Sequence, residues 1–360
     1  MEQLCELGYY TLAGNAETPR DCIDDAREAE RLGLGTSFLS ERMNFKEAAT
    51  ICGAVGAVSS TLGIATSATN ANTRSPMVTA TMCASMNRLT NGRFSLGLGS
   101  GIAYGMKEWG LTPNTMASTT DYVNIFRRLL RGETIKDHDG PAGKYPKLKL
   151  MANSIDDEVP IMSVAIGETI IEWAGSLMDG LMLHTFFADE TLARVTRTAR
   201  RGAEKAGRDP EKLRVWSILS VVQDTMSHDE QLLKVVARMG TYLQVYGDIL
   251  VKTNRWDPAV LKAFREDKMV AGFGNLIDDH STTSAQLEHI ATLIPQEWLD
   301  ASAMGTPQQI ARRIVDQFDC GADGVILHGV RPCELENVLS AYRAVRPTEK
   351  FVGRVANPAQ

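Results

Sequence analysis

The chain has 360 residues, is 44% hydrophobic and 23% charged, and carries a formal net charge of −6, with a pI of about 5.6. These values fit a globular protein with a large core and exclude disorder, collagen or coiled coil as the main architecture. With an acidic balance and no run of Lys/Arg, neither nucleic acid nor an anionic membrane surface is an expected partner.

At roughly 150 residues per domain the length suggests about two domains, although α/β barrels reach this size as one. The cysteines Cys5, Cys22, Cys52, Cys83, Cys320 and Cys333 form no C-x-x-C pair. They read as reduced core thiols of a cytoplasmic protein, with no zinc or other metal site. The acidic start Met-Glu-Gln-Leu-Cys-Glu has no apolar signal region. Residues 48–73 carry no charge but are rich in Ser, Thr and Asn, too polar for a membrane span and better read as a buried helix and strand.

In chain order, eight short apolar runs predict strands at Glu6–Thr11, Thr36–Ser40, Gly63–Thr69, Arg93–Leu98, Pro160–Ala165, Gly180–His184, Leu213–Val222 and Gly324–His328. Helices fall between them. Thr18-Pro19, Ser75-Pro76 and Thr306-Pro307 each place an N-cap hydroxyl before a proline, and Gln309 completes a capping box with Thr306. Gly33, Gly92, Gly180 and Gly321 lie where a helix must turn back into a strand. Eight alternating units predict an α/β fold, a (β/α)8 TIM barrel formed by residues 1–360 as one domain. An open doubly wound sheet with a small helical domain is the alternative. Two long insertions, about 101–159 and 225–305, are expected to wall the C-terminal mouth. The first should hold a helix near Thr119–Leu130 and then a turn-rich segment around Asp139-Gly140-Pro141.

The strand ends carry the chemistry. Gly97-Leu98-Gly99-Ser100-Gly101 lacks G-x-G-x-x-G spacing, so it reads as a turn whose glycines clear space for a flat ring. Ala165-Ile166-Gly167-Glu168-Thr169 opens a helix and presents amides suited to phosphate, with Glu168 required to point away. The uncharged run Thr66–Asn72 and the segment Ser40-Glu41-Arg42-Met43-Asn44 end strands three and two. His184 and His328 end strands six and eight. Each has an ordinary structural reading too: a solvated loop, a rim ion pair between Glu41 and Arg42, or a hydrogen-bonded core histidine.

Three patches together resemble the bacterial luciferase-like superfamily, especially its branch using coenzyme F420, a deazaflavin. They are Ile64–Gly101 with Arg74-Ser75-Pro76 and Asn87–Gly99, then Ala165–Gly180 with Glu172-Trp173-Ala174-Gly175, and Met304–Gly324. The resemblance implies a ring at the barrel mouth, backed by a non-prolyl cis peptide at Ser67–Ala68, and a cofactor phosphate on Ala165 to Thr169. It implies cofactor contacts at Ser40, Ser67, Ala68, Thr69, Asn70, Gly99, Gly101, Ala165, Ile166, Gly167, Glu168 and Thr169. The F420-dependent sugar-phosphate and alcohol dehydrogenases of this family carry a histidine at the end of strand two. Here Glu41 or Arg42 stands there, and Ile102 stands where the sugar-phosphate enzymes have an acid after the glycine turn.

The expected function is hydride transfer between F420 and an apolar organic substrate. Glu41 is the expected general acid or base, and Tyr10, Tyr104, Trp109, His184 and His328 line the substrate side. An FMN-dependent luciferase-like monooxygenase is the first alternative and a non-catalytic flavin-binding barrel the second. The charge-poor stretch 48–90 is a candidate homodimer face.

Overall fold

The computed structural model describes residues 2–13, 16–42, 45–101, 103–151, 158–277 and 281–360, and for 103–105 the backbone only. The strands β1 (Leu4–Tyr10), β2 (Leu34–Leu39), β3 (Gly63–Thr66), β4 (Phe94–Gly99), β5 (Ile161–Ala165), β6 (Gly180–Leu183), β7 (Arg214–Gln223) and β8 (Gly324–His328) pair in sequence order, all in parallel. Leu7 opposite Val325 and Tyr9 opposite Ser37 join β8 to β1 and β1 to β2, so the sheet closes on itself. This is a (β/α)8 barrel, and closure rules out the open sheet. The strands are buried runs because one face meets the barrel interior and the other the helices.

The outer helices are α1 (Asp21–Arg31), α2 (Ala48–Val58), α3 (Pro76–Leu89), α4 (Met116–Leu130), α5 (Glu168–Leu177), α6 (Asp189–Lys205), α7 (Pro307–Asp319) and α8 (Glu336–Val345). Thr306 and Gln309 form the expected capping box at α7. Ser75 precedes Pro76 at α3 but makes no side-chain cap bond. Thr18-Pro19 lies in a turn before α1, whose cap position is Arg20. Gly33, Gly92 and Gly321 adopt positive φ after their helices. Gly180 does not act this way: α5 ends at Met178 in extended conformation, and Gly180 is already the first residue of β6.

The two insertions differ from each other. The helix expected near Thr119–Leu130 is the barrel helix α4 itself, started at Met116 by a Thr115–Ser118 capping box. The segment after it is an antiparallel hairpin, Ile135–Gly140 with Gly143–Leu148. It belongs to a helix-to-strand connection rather than to a strand end. Asp121 of α4 ties it down, accepting from Ala142 N at 2.9 Å and lying 2.9 Å from His138 Nε2. The second insertion does follow a strand. It runs from β7 through short helices, including Arg238–Val245 and Gly247–Asn254, to a strand at Ala303–Gly305 that pairs with the end of β7.

The barrel interior is filled by Phe38, Ala65, Met162, Met182, Trp216, Ile218 and Ile326. Its floor is the C-terminal tail. Asn357 accepts from Ser95 Oγ at 2.6 Å and donates to Gly92 O and Phe94 O at 2.8 and 3.1 Å. Trp216 Nε1 donates to Pro358 O at 2.7 Å. The tail thus closes the barrel at the N-terminal ends of the strands. Cys22, Cys52 and Cys83 are buried thiols as expected, whereas Cys333 is exposed. No helix among the described residues is long and apolar enough to cross a membrane.

Candidate active site

Two polar clusters form at the strand C-termini. The first surrounds the end of β3. Ser67 N donates to Leu39 O at 2.6 Å, and Glu41 N donates to Ala68 O at 3.3 Å. The peptide between them, Ser67–Ala68, is cis. The side chain of Glu41, 3% exposed, accepts from Thr69 Oγ1 at 2.6 Å, from Arg74 Nη2 at 2.6 Å and from Ala48 N at 3.0 Å. Its ion-pair partner is therefore Arg74, not the neighbouring Arg42. Arg74 also bonds Glu47, which caps α2. Glu47 is held down near 2 by its bonds to Thr50, Arg74 and Ala49, against the opposing effect of burial.

The second cluster lies across the mouth. The Tyr10 hydroxyl and Ser67 Oγ share a hydrogen bond at 3.0 Å. Tyr10 meets the His328 ring edge-on at 5.0 Å, and His328 Nδ1 lies 3.2 Å from Thr185 Oγ1. His184 Nδ1 is 3.0 Å from Thr185 O. Because a carbonyl only accepts, Nδ1 carries the proton and Nε2 is the lone-pair nitrogen of the neutral ring. Tyr242 and Tyr246 from the second insertion pack edge-on against His184 at 4.7 and 5.3 Å. Burial pushes His184 down to about 4. Burial, then Arg238, His184, Arg42 and Lys46, holds His328 well below its usual value. Burial also raises Tyr10. Both imidazoles are thus neutral at pH 7.

The helix start of α5 lies at the end of β5. Gly167 is its N-cap and no side chain caps it. The first intrahelical bond is Ile171 N to Gly167 O at 3.0 Å, so the amides of Glu168, Thr169 and Ile170 precede the helical ladder. Glu168 is turned to Arg194, whose Nε donates to it at 2.9 Å, which relieves its repulsion of an anion. A Cβ on Gly167 would lie 2.9 Å from Ile249 Cδ1. Ala165 is buried, Ile166 is half-buried and Thr169 is exposed.

These surroundings suit a flat ring with a phosphate tail. The buried Asn70 Oδ1 has no partner, and it borders Gly101, whose φ is +70°. Gly99 is so close to Ala68 that a Cβ there would lie 3.1 Å from the Ala68 methyl. Ser40 is half-buried beside them.

Of the predicted substrate residues, the structure brings together Tyr10, His184 and His328. Trp109 is 47% exposed and stands apart from them, on a segment held by Asn72 Nδ2 to Thr112 O at 2.5 Å. Ile102, Met43, Asn44 and the side chain of Tyr104 lie outside the described residues. Sequence reasoning missed Thr185, Tyr242, Tyr246, Lys46, and the pairings Glu41–Arg74 and Glu168–Arg194. Thr185 directly follows a flagged histidine and was findable. The two pairings join residues 33 and 26 positions apart, and no local pattern announces them.

The family model described as luciferase-like monooxygenase matches residues 4–324. The 5,10-methylenetetrahydromethanopterin reductase of Methanolobus tindarius is 26% identical over 307 residues, covering 84% of this chain and 87% of the relative. The F420-dependent glucose-6-phosphate dehydrogenase of Amycolatopsis mediterranei is 24% identical over 347 residues, covering 89% and 91%. Among solved structures, the coenzyme F420-dependent tetrahydromethanopterin reductase of Methanopyrus kandleri superposes with a TM-score of 0.78 at 16% identity, over 96% of this chain and 99% of that one. At that identity the structural likeness is one of fold, but the family match spans nearly the whole barrel. The chain belongs to the luciferase-like monooxygenase family.

Proposed function

We propose that the chain is a coenzyme F420-dependent oxidoreductase that transfers a hydride between the deazaflavin and an organic substrate. The observation that carries this reading is the uncapped start of α5 at Gly167, with Glu168 drawn aside by Arg194. The names of the Amycolatopsis relative and of the Methanopyrus structure both include F420, which favours the deazaflavin over FMN.

When bound, F420 supplies the two-electron chemistry. The chain supplies seats and proton management. The amides of Glu168, Thr169 and Ile170 hold the phosphate, with Ala165 and Ile166 leading into them. Ser40, Ser67, Ala68, Thr69, Asn70, Gly99 and Gly101 form the shelf for the ring. Glu41 anchors that shelf: both of its oxygens are already engaged by Thr69, Arg74 and Ala48. The proton work passes instead to the neutral His184 and His328, beside Tyr10. His184 Nε2, the lone-pair nitrogen, can accept a proton. His328, whose Nδ1 faces the Thr185 hydroxyl rather than a carbonyl, can carry its proton on either nitrogen and so donate or accept. Tyr10, Tyr242 and Tyr246 supply the apolar wall of the substrate side.

The test is turnover. Oxidised F420 with a panel of alcohols, and reduced F420 with a panel of carbonyls and activated alkenes, should show a change in deazaflavin absorbance that requires the protein. No turnover in either direction, with F420 bound, would favour a non-catalytic barrel.

A further inference from the structure

Lys46 is only 7% exposed, yet its ammonium donates to a neutral carbonyl, Leu12 O, at 2.9 Å. The acids that flank it in sequence, Glu41 and Glu47, are both paired with Arg74 instead. Among the described residues, no carboxylate lies within ion-pairing distance of Lys46. Arg42 is its neighbour in space. Arg42 N donates to Lys46 O at 3.1 Å and Lys46 N to Arg42 O at 2.8 Å, so an antiparallel bridge holds the two cationic residues together. Arg42 is exposed and likewise has no ion-pair partner among the described residues. The Lys46 ammonium thus meets the backbone just past the end of β1, two residues beyond Tyr10.

A buried ammonium without a counter-charge is an expensive arrangement. Burial first and Arg42 second push Lys46 down to about 8, so it remains mostly charged at neutral pH. Arg42 and Lys46 both act on His328, so the two cations face the mouth. An uncharged ligand would leave this imbalance in place. An anionic oxygen group would cancel it and gain charge-assisted hydrogen bonds.

We propose that Lys46 and Arg42 form the anion seat of this mouth, and that the substrate has an apolar body against Tyr10, Tyr242 and Tyr246 and a carboxylate or phosphate on the two cations. Assigning the anion to a substrate rests on the F420-dependent reading above; the seat itself rests on the two cations.

Calorimetric titration with inorganic phosphate and with succinate tests the seat, on the protein alone and on the protein saturated with F420. Wild type, Lys46→Met and Arg42→Met are compared, and F420 affinity is followed separately by quenching of its fluorescence. The expected result is a loss of about tenfold or more in anion affinity for Lys46→Met, the size of one lost bond to a charged group. A smaller loss is expected for Arg42→Met, whose exposed position keeps the test open if Lys46→Met fails to fold. The preferred probe tells phosphate from carboxylate. Lys46-dependent binding that persists when F420 does not bind at all supports the seat and removes only the cofactor reading. Equal anion affinity in wild type and both variants overturns the proposal. So does competition between F420 and the probes at Lys46, which would assign the cations to the cofactor.

Discussion

Glu41 and Arg74 form an ion pair with Oε1 and Nη2 2.6 Å apart, and the Glu41 side chain is only 3% exposed. The same carboxylate bonds Thr69, one residue beyond the Ser67–Ala68 peptide. The pair therefore fixes the shelf at the end of β3 to the start of α2. Glu41→Gln keeps an acceptor but removes the charge facing Arg74. It should cost about 1–3 kcal/mol in denaturant unfolding, the range for a bond to a charged group. Turnover should fall by no more than about tenfold, since general acid–base loss is typically worth about 10²–10⁴. A loss on that larger scale, with cofactor affinity intact, would return the proton to Glu41.

Gly167→Val places a branched side chain at the start of α5, against Ile249. Cofactor affinity should drop by at least about tenfold through the blocked amides, and thermal stability should fall through crowding. Adding Ile249→Ala should restore the melting temperature but not the affinity. Recovery of both would show that crowding alone was responsible.

Acid should weaken the fold through the mouth histidines. His184 has a folded pKa of about 4, against about 6.5 in an unfolded chain. Between those values the unfolded state binds a proton that the folded state does not. Stability therefore falls as pH drops from 6.5 towards 4, and this residue adds no pH dependence above that window. His328 acts in the same direction. His184→Gln should lose less stability than wild type on going from pH 7.5 to pH 5, by about 2 kcal/mol. Equal losses in urea titrations at the two pH values would place the effect elsewhere.

Much of the fold was legible because its signals are local. The eight strands are short apolar runs, several of them bounded by Gly or Pro, and the Thr306–Gln309 box is spelled out in sequence. The Ile135–Leu148 hairpin was not legible: Ile135 and Leu148 are buried, but charged and exposed residues fill most of the space between them. At the mouth, the Gly167 helix start could be read from a strand running into a helix. The environments of Glu41 and Lys46 could not, because each depends on partners supplied by tertiary packing. The barrel floor is a further case. Val355-Ala356-Asn357-Pro358-Ala359-Gln360 has no periodicity, and its role comes from where the closed barrel leaves a hole.

That floor gives a separate test. Asn357→Ala removes four side-chain bonds, to Ser95, Gly92, Phe94 and Ala359, and leaves buried groups unpaired. A destabilisation of about 2–4 kcal/mol is expected. Because the floor lies opposite the mouth, cofactor affinity measured well below the unfolding temperature should stay near wild type. A stability change under about 0.5 kcal/mol would mean that the tail does not hold the barrel.

The most direct measurement is a paired titration of the purified protein with F420 and with FMN, following the fluorescence of each. Saturable binding of F420, abolished by Gly167→Val, with FMN at least about tenfold weaker, is the predicted result. FMN binding more tightly than F420, or F420 binding unaffected by Gly167→Val, would contradict it.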